Sequence, residues 1–191
     1  YKVAVWNNEA FAPVSGEVED RVTAVAKTIS DAGGTVDFDA RPDFDPAEAQ
    51  NIFRTLLWSA MAARIPDADF AEMVKSTSEL SPEDQSGGAQ LLRIQTISHH
   101  DHFTAHNRRM RLRWAWDAFF RDHDALIAPI MATPAFEHDQ SAMGKRKITI
   151  DGAERPYFEQ LFWAGLAVCC YLPSTIIPTG PNKDGLPIGI Q

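Results

Sequence analysis

Cysteine is scarce in this 191-residue chain: there are two, Cys169 and Cys170, and they are neighbours. Adjacent cysteines rarely close a disulfide without strain, and no others exist to build a framework. Both read as small buried apolar side chains, and the composition fits a reducing, cytoplasmic compartment. Long hydrophobic runs are also missing. The longest, Leu161 to Leu172, is 12 residues and stops at Pro173, whereas a membrane span needs about 20; it reads as a buried helix, and no membrane partner is expected. No secretory leader is visible, since Tyr1 opens directly on a strand-like "YKVAVW". A beginning inside a strand leads us to expect further polypeptide upstream. Positive charge is in deficit, with 18 Lys and Arg against 26 Asp and Glu and a net charge of -8. That field disfavours nucleic acid as a partner. No GxSxG elbow, P-loop or GxGxxG fingerprint occurs, so nothing announces a strained serine or a phosphate cradle.

What is present describes one globular domain over residues 1–191, with a hydrophobic share of 45% that suffices for a single core. "YKVAVW" reads as a central strand. Val18, Val22, Val25, Ala26 and Ile29 then fall at three- and four-residue steps, which predicts a helix with one apolar face, and Gly33-Gly34 ends it before "TVDFDA" returns as a strand. Two such strands should pair in parallel. Asp45, Pro46 and Glu48 carry a helix start, and Phe70 to Lys75 a short helix. Residues 91–120 make the longest helical pattern, "HDALIAPI" a buried strand, and Asp151-Gly152 a tight turn. Residues 157–171 read as one apolar helix, and "STIIP" and "LPIGIQ" as the last strands. The class is α/β, a mixed, mostly parallel sheet flanked by helices.

Three clusters invite chemistry. His99, His102 and His106 share a helical face, and His102/His106 have the i, i+4 spacing metals can use. The pattern lacks the Glu of HExxH, so histidines that hydrogen-bond or meet solvent are favoured, and no metal or other cofactor is expected. Ser86 precedes two glycines like a nucleophile on a sharp turn, but no strand leads into it and its neighbours are polar, which favours a solvated loop. The basic run Arg108 to Arg113 fans around a helix beside Met110, Leu112 and Trp114, and surface ion pairs explain it better than a nucleic-acid face.

Three segments together resemble the C-terminal half of an amidase signature family enzyme: the opening "YKVAVW" with its helix, "FFRDHDALIAPIMATPA" from Phe119 to Ala135, and the closing "LPSTIIPTGPNKDGLPIGIQ" from Leu172 to Gln191. The resemblance implies a serine-dependent amidohydrolase working through an acyl-enzyme on a small-molecule amide. It further implies that the serine nucleophile, a bridging second serine and a lysine lie in a Gly/Ser-rich segment upstream of Tyr1. No residue in 1–191 matches that triad, so no catalytic residue is assigned here and the chain alone is expected to be inactive. Its share is the substrate-pocket wall, for which Met131, Phe158, Leu161, Phe162 and Gly165 are the candidates; plain core packing is the equal alternative. In the turn before "LP" the family commonly has Asn and Gly where this chain has Val168 and Tyr171, so the rim of that pocket should differ. Two other readings stay open, the amidase subunit of a tRNA-dependent amidotransferase and a non-catalytic binding or scaffold domain, as does a homodimer.

Overall fold

The computed structural model describes residues 1–191, the side chain of Met143 excepted. In chain order its elements are β1 (Lys2–Val5), α1 (Gly16–Asp31), β2 (Thr35–Asp37), α2 (Pro46–Ala62), α3 (Asp67–Ser78), α4 (Gly87–Gln95), α5 (His99–Phe119) and β3 (Ala125–Ile127), followed by β4 (Lys147–Ile150), β5 (Ala153–Pro156), α6 (Leu161–Cys169), β6 (Ile177–Pro181) and β7 (Pro187–Ile190). Short 3-10 turns cover Met143–Lys145 and Tyr157–Gln160. Two compact units result, one of residues 1–44 with 113–191 and one of residues 45–112.

The first unit is built on a three-stranded sheet in the order β2-β1-β3, parallel throughout. β1 is buried along Val3, Ala4 and Val5, the continuous apolar run that a strand covered on both faces requires. One face takes α1, whose Val22 and Ala26 pack with Val5 and Ile190, bordered by Val25, Val36 and Ile127. α1 gives way at Gly33, whose φ of +88° suits a residue without Cβ. Its other end is held from a distance: the Asp151 carboxylate accepts the Gly16 N–H at 2.9 Å. Asp151 can reach because it sits with Gly152 in the β4–β5 hairpin at φ of +47° and +84°, the paired positive values of a tight two-residue turn. β6 and β7 form a second antiparallel hairpin, and Pro129 bridges to Ile190.

The second unit is helical. Asp45 accepts the Ala47 N–H at 2.9 Å and Pro46 stands at the start of α2, as the sequence predicts; Glu48 pairs instead with Arg108 at 2.8 Å. The single long helix expected over residues 91–120 is two. Thr96 donates its hydroxyl to the Leu92 carbonyl, closing α4, and Ser98 accepts the Asp101 N–H at 3.0 Å to open α5. Short hydroxyl side chains that compete for main-chain groups make this break. α3 is longer than the short helix expected at 70–75, yet it buries no residue.

Candidate functional site

Parallel α/β sheets bind ligands at the carboxyl ends of their strands, where the chain leaves for opposite sides. Here it leaves β1 toward β2 and comes back on the other flank as β3, so the carboxyl ends of β1 and β3 bracket that position. The loops beyond them meet, with the Ser15 N–H donating to the Ala132 carbonyl at 2.8 Å. α6 closes the third side. Trp163 donates its indole N–H to the Ala12 carbonyl at 2.9 Å, and Phe162 makes edge contacts with Trp6 at 5.6 Å, Phe11 at 4.9 Å and Trp163 at 5.0 Å. Arg41 lies over the Trp6 ring at 5.0 Å and donates to the Val5, Phe38 and Ala40 carbonyls. Burial pulls its guanidinium below the usual arginine range, opposed by the carboxylates of Glu9, Asp39 and Asp37.

Around this aromatic cluster three buried polar atoms lack a hydrogen-bond partner: Trp6 Nε1, Ser15 Oγ and Gln160 Oε1. Their residues are 1%, 5% and 2% exposed. A buried polar atom left unpaired costs roughly 1–3 kcal/mol, so three in neighbouring segments single out this cluster as the candidate site. Ser15 stands at the N-cap of α1, yet its hydroxyl makes no cap bond. Sequence reasoning missed all three residues. The one signal for them was a lone glutamine at the mouth of an apolar run.

The five candidates divide. Phe162 and Gly165 are buried within α6, Phe162 at the centre of the cluster. Leu161 starts the helix half-buried. Phe158 is half-buried too, but in the 3-10 turn, not on the α-helical stripe expected for it, because the helix proper begins only at Leu161. Met131 sits half-buried beside Ala132 in the loop after β3. A separate cavity of about 660 Å³ lies along β3 and the far end of α6; it is lined by Leu166, Ala167 and Leu172, among others, and by none of the five candidates.

Other sequence clusters find structural work. Ser86 is the N-cap of α4 and accepts the Ala89 N–H at 3.3 Å. His102 Nδ1 lies 3.0 Å from the Ser59 hydroxyl, Phe103 stacks on His106, and among the described residues no group of His, Cys, Asp or Glu could hold a metal. Both cysteines are buried. Tyr171 keeps the turn that a glycine would make easily: its φ is +59°, and the Leu172 N–H reaches back to the Ala167 carbonyl at 3.0 Å. Such a conformation costs a side-chain-bearing residue about 1–2 kcal/mol. The phenol ring lies 5.5 Å from the Arg113 guanidinium. No helix among the described residues is long and apolar enough to cross a membrane.

The chain belongs to the amidase family, whose description it matches over residues 1–191. It is similar to a bacterial aryl acylamidase of the amidase signature enzymes, with a TM-score of 0.65 at 20% identity over 99% of this chain and 39% of that one. A second structure, titled simply as an amidase, gives a TM-score of 0.67 at 17% identity, covering 100% of this chain and 40% of the other. The glutamyl-tRNA(Gln) amidotransferase A-subunit of Chlamydia trachomatis is 31% identical over 83 residues, 44% of this chain and 15% of its own length. Its counterpart from Thermotoga maritima gives a TM-score of 0.60 at 16% identity, with 37% of its length covered. The chain thus spans well under half of the relatives it matches, and its α/β fold is theirs.

Proposed function

We propose that this chain is the substrate-pocket portion of a serine-dependent amidohydrolase that cleaves carboxylic amides through an acyl-enzyme. One observation carries the reading. A match over the whole chain coincides with a cluster of buried rings beyond the carboxyl ends of β1 and β3 that carries unpartnered polar atoms, the Ser15 hydroxyl among them, but no serine hydrogen-bonded to a base. Ser86, the one serine with a glycine-rich setting, is occupied in capping a helix.

In this reading the nucleophile and its lysine base come from polypeptide ahead of Tyr1. The lysine acts as base because desolvation lowers its pKa, and its proton demand passes through a bridging serine. Main-chain N–H groups of a glycine-rich loop hold the oxyanion. Residues 1–191 supply the surface that receives the apolar side of the amide, with Met131, Phe158, Leu161, Phe162 and Gly165 along it. Tyr171, held in a glycine-like turn, alters the rim.

The test joins the chain to the sequence encoded before Tyr1 and measures anilide hydrolysis. Phe158→Ala, on a half-buried ring, should raise KM for a bulky acyl group several-fold and leave a small acyl group nearly unchanged. Equal changes for both substrates would remove Phe158 from the pocket. A second reading, the amidase component of a tRNA-dependent amidotransferase, draws support from the 31% identity to the chlamydial amidotransferase. Glutamine hydrolysis that rises when charged tRNA and partner proteins are added would favour it.

A further inference from the structure

His123 lies in the turn between α5 and β3, with its side chain only 8% exposed. Its ring stacks on Phe119 at 4.6 Å and 13°. Nδ1 lies 3.4 Å from the Phe119 carbonyl. A carbonyl can only accept, so Nδ1 carries the hydrogen. On the neutral ring that leaves a bare lone pair on Nε2, and Nε2 has no hydrogen-bond partner among the described residues. What it faces, at 3.7 Å, is the Asp37 carboxylate at the end of β2. Two acceptors turned toward one another in a buried place repel. One proton on Nε2 converts the same contact into a charge-assisted hydrogen bond.

Asp37 is already engaged on its other side. Its Oδ1 accepts the Asp39 and Ala40 N–H groups at 3.0 and 2.9 Å. These bonds bend the chain after β2 and hold the carboxyl below the usual carboxylate range, so it stays ionised wherever a histidine ordinarily titrates. Arg41 follows the bend. Its Nη1 donates back to the Phe38 and Ala40 carbonyls and across to the Val5 carbonyl, and its guanidinium lies over the Trp6 ring at 5.0 Å. Contacts therefore run without a break from the His123 ring through Asp37, the bend and Arg41 to Trp6 in the aromatic cluster. Three further charges surround the pair. The Lys2 ammonium on β1 and the Arg41 guanidinium both act on Asp37, and Asp124, just ahead of β3, takes the Lys2 N–H at 2.7 Å. Among the described residues neither cation is paired with Asp37, which leaves Oδ2 to His123.

We propose that His123 is a proton-operated latch: a proton taken from solvent at Nε2 draws the ring onto Asp37 Oδ2, tightens the bend from Asp37 to Ala40 and, through Arg41, fixes the Trp6 ring. With the second proton on the ring the bend is latched. Without it the two acceptors part. The inference rests on no part of the amidohydrolase reading.

The test follows the 191-residue chain by NMR from pH 8 to pH 5, a span that brackets the ordinary histidine value of about 6.5. As the His123 ring gains its second proton, protection of the Asp39 and Ala40 N–H groups, corrected for the intrinsic pH dependence of exchange, should rise several-fold. The Trp6 indole N–H signal should shift along the same curve. His123→Phe keeps a ring to stack on Phe119 but has no nitrogen in it, and should abolish both responses. Asp37→Asn keeps an acceptor for the bend and brings an N–H that donates to the bare Nε2, so its bend should be better protected at pH 8 than at pH 5, the reverse order. The latch is overturned if the ring titrates while protection and the Trp6 signal stay flat, or if His123→Phe keeps both responses. A ring that gains no second proton across this span overturns it too, as do nitrogen-15 shifts that place the hydrogen of the neutral ring on Nε2, because the Asp37 bond then needs no added proton.

Discussion

Trp6, Trp116 and Trp163 are each 1% exposed or less in the unit formed by residues 1–44 and 113–191. In the unit of residues 45–112 the buried set is Ile52, Leu56, Trp58, Ala62, Ala89, Ala105 and Leu112, and α3 contributes nothing to it. There the helices are fastened largely at their ends and flanks by polar locks: Asp45 on α2, Ser86 on α4, Ser98 at the head of α5, Ser59 with His102, and Glu48 with Arg108. The difference teaches where each unit is sensitive. The sheet unit stores its stability in a few large buried rings, of which Trp6 and Trp163 also belong to the cluster around Phe162. The helical unit spreads it over many small contributions, each replaceable.

The sharpest break in that contrast comes from Trp163→Ala. It removes an indole that fills the core and holds the Ala12 carbonyl, and should cost about 3–5 kcal/mol, read as a shift in the denaturant midpoint. A loss near 1 kcal/mol would mean the ring cluster is not what holds the sheet unit. In the helical unit, Asp45→Ala and Ser86→Ala should each cost about 1 kcal/mol, and nearly add, since they cap different helices. A cost as large as that of Trp163→Ala would erase the distinction.

Acid should sharpen it. Asp101 and Asp84 in the helical unit sit below the ordinary carboxylate range: the Ser98 hydroxyl leads for Asp101, and the Ser86 N–H and hydroxyl for Asp84. A lowered folded-state value means that the ionised groups add stability above the ordinary value of 3.8, and that this stability is lost as pH falls through their lowered values. Far-UV circular dichroism from pH 5 to pH 2 should show an acid-induced loss of helix, and Ser98→Ala should move its onset to higher pH. An unmoved onset would detach Asp101 from the effect. The smallest change is expected for Tyr171→Gly. Relief of a left-handed conformation worth about 1–2 kcal/mol is set against a cation–π contact of about 0.5–1 kcal/mol, so the denaturant midpoint should hold or rise slightly.

Much of the sheet unit was legible because its signals are local. The alternation in "YKVAVW", the spacing of Val18, Val22 and Ala26, the Gly33 stop and the Asp151-Gly152 turn each follow from neighbours in sequence. The helical unit was less so. One continuous helix was expected where Thr96 and Ser98 divide two, because a hydroxyl that back-bonds to the chain looks the same in sequence as one that faces water. Of the residues around the aromatic cluster, Phe162 and its helix were picked out from the sequence, and Trp6, Ser15 and Gln160 were not. What distinguishes those three is the absence of a hydrogen-bond partner, and that exists only after the Glu9–Ser15 loop, the Ala132 loop and α6 have come together. The left-handed φ of +59° at Tyr171 was not legible, since a tyrosine in that conformation looks like any other in sequence.

The most direct trial of the amidohydrolase account is to treat the chain, alone and joined to its upstream coding sequence, with a fluorophosphonate and to locate the adduct by peptide mass spectrometry. The account predicts no adduct on residues 1–191 in either form, and one adduct on a serine ahead of Tyr1 in the longer form. An adduct on Ser86, or on any other serine of this chain, would contradict it.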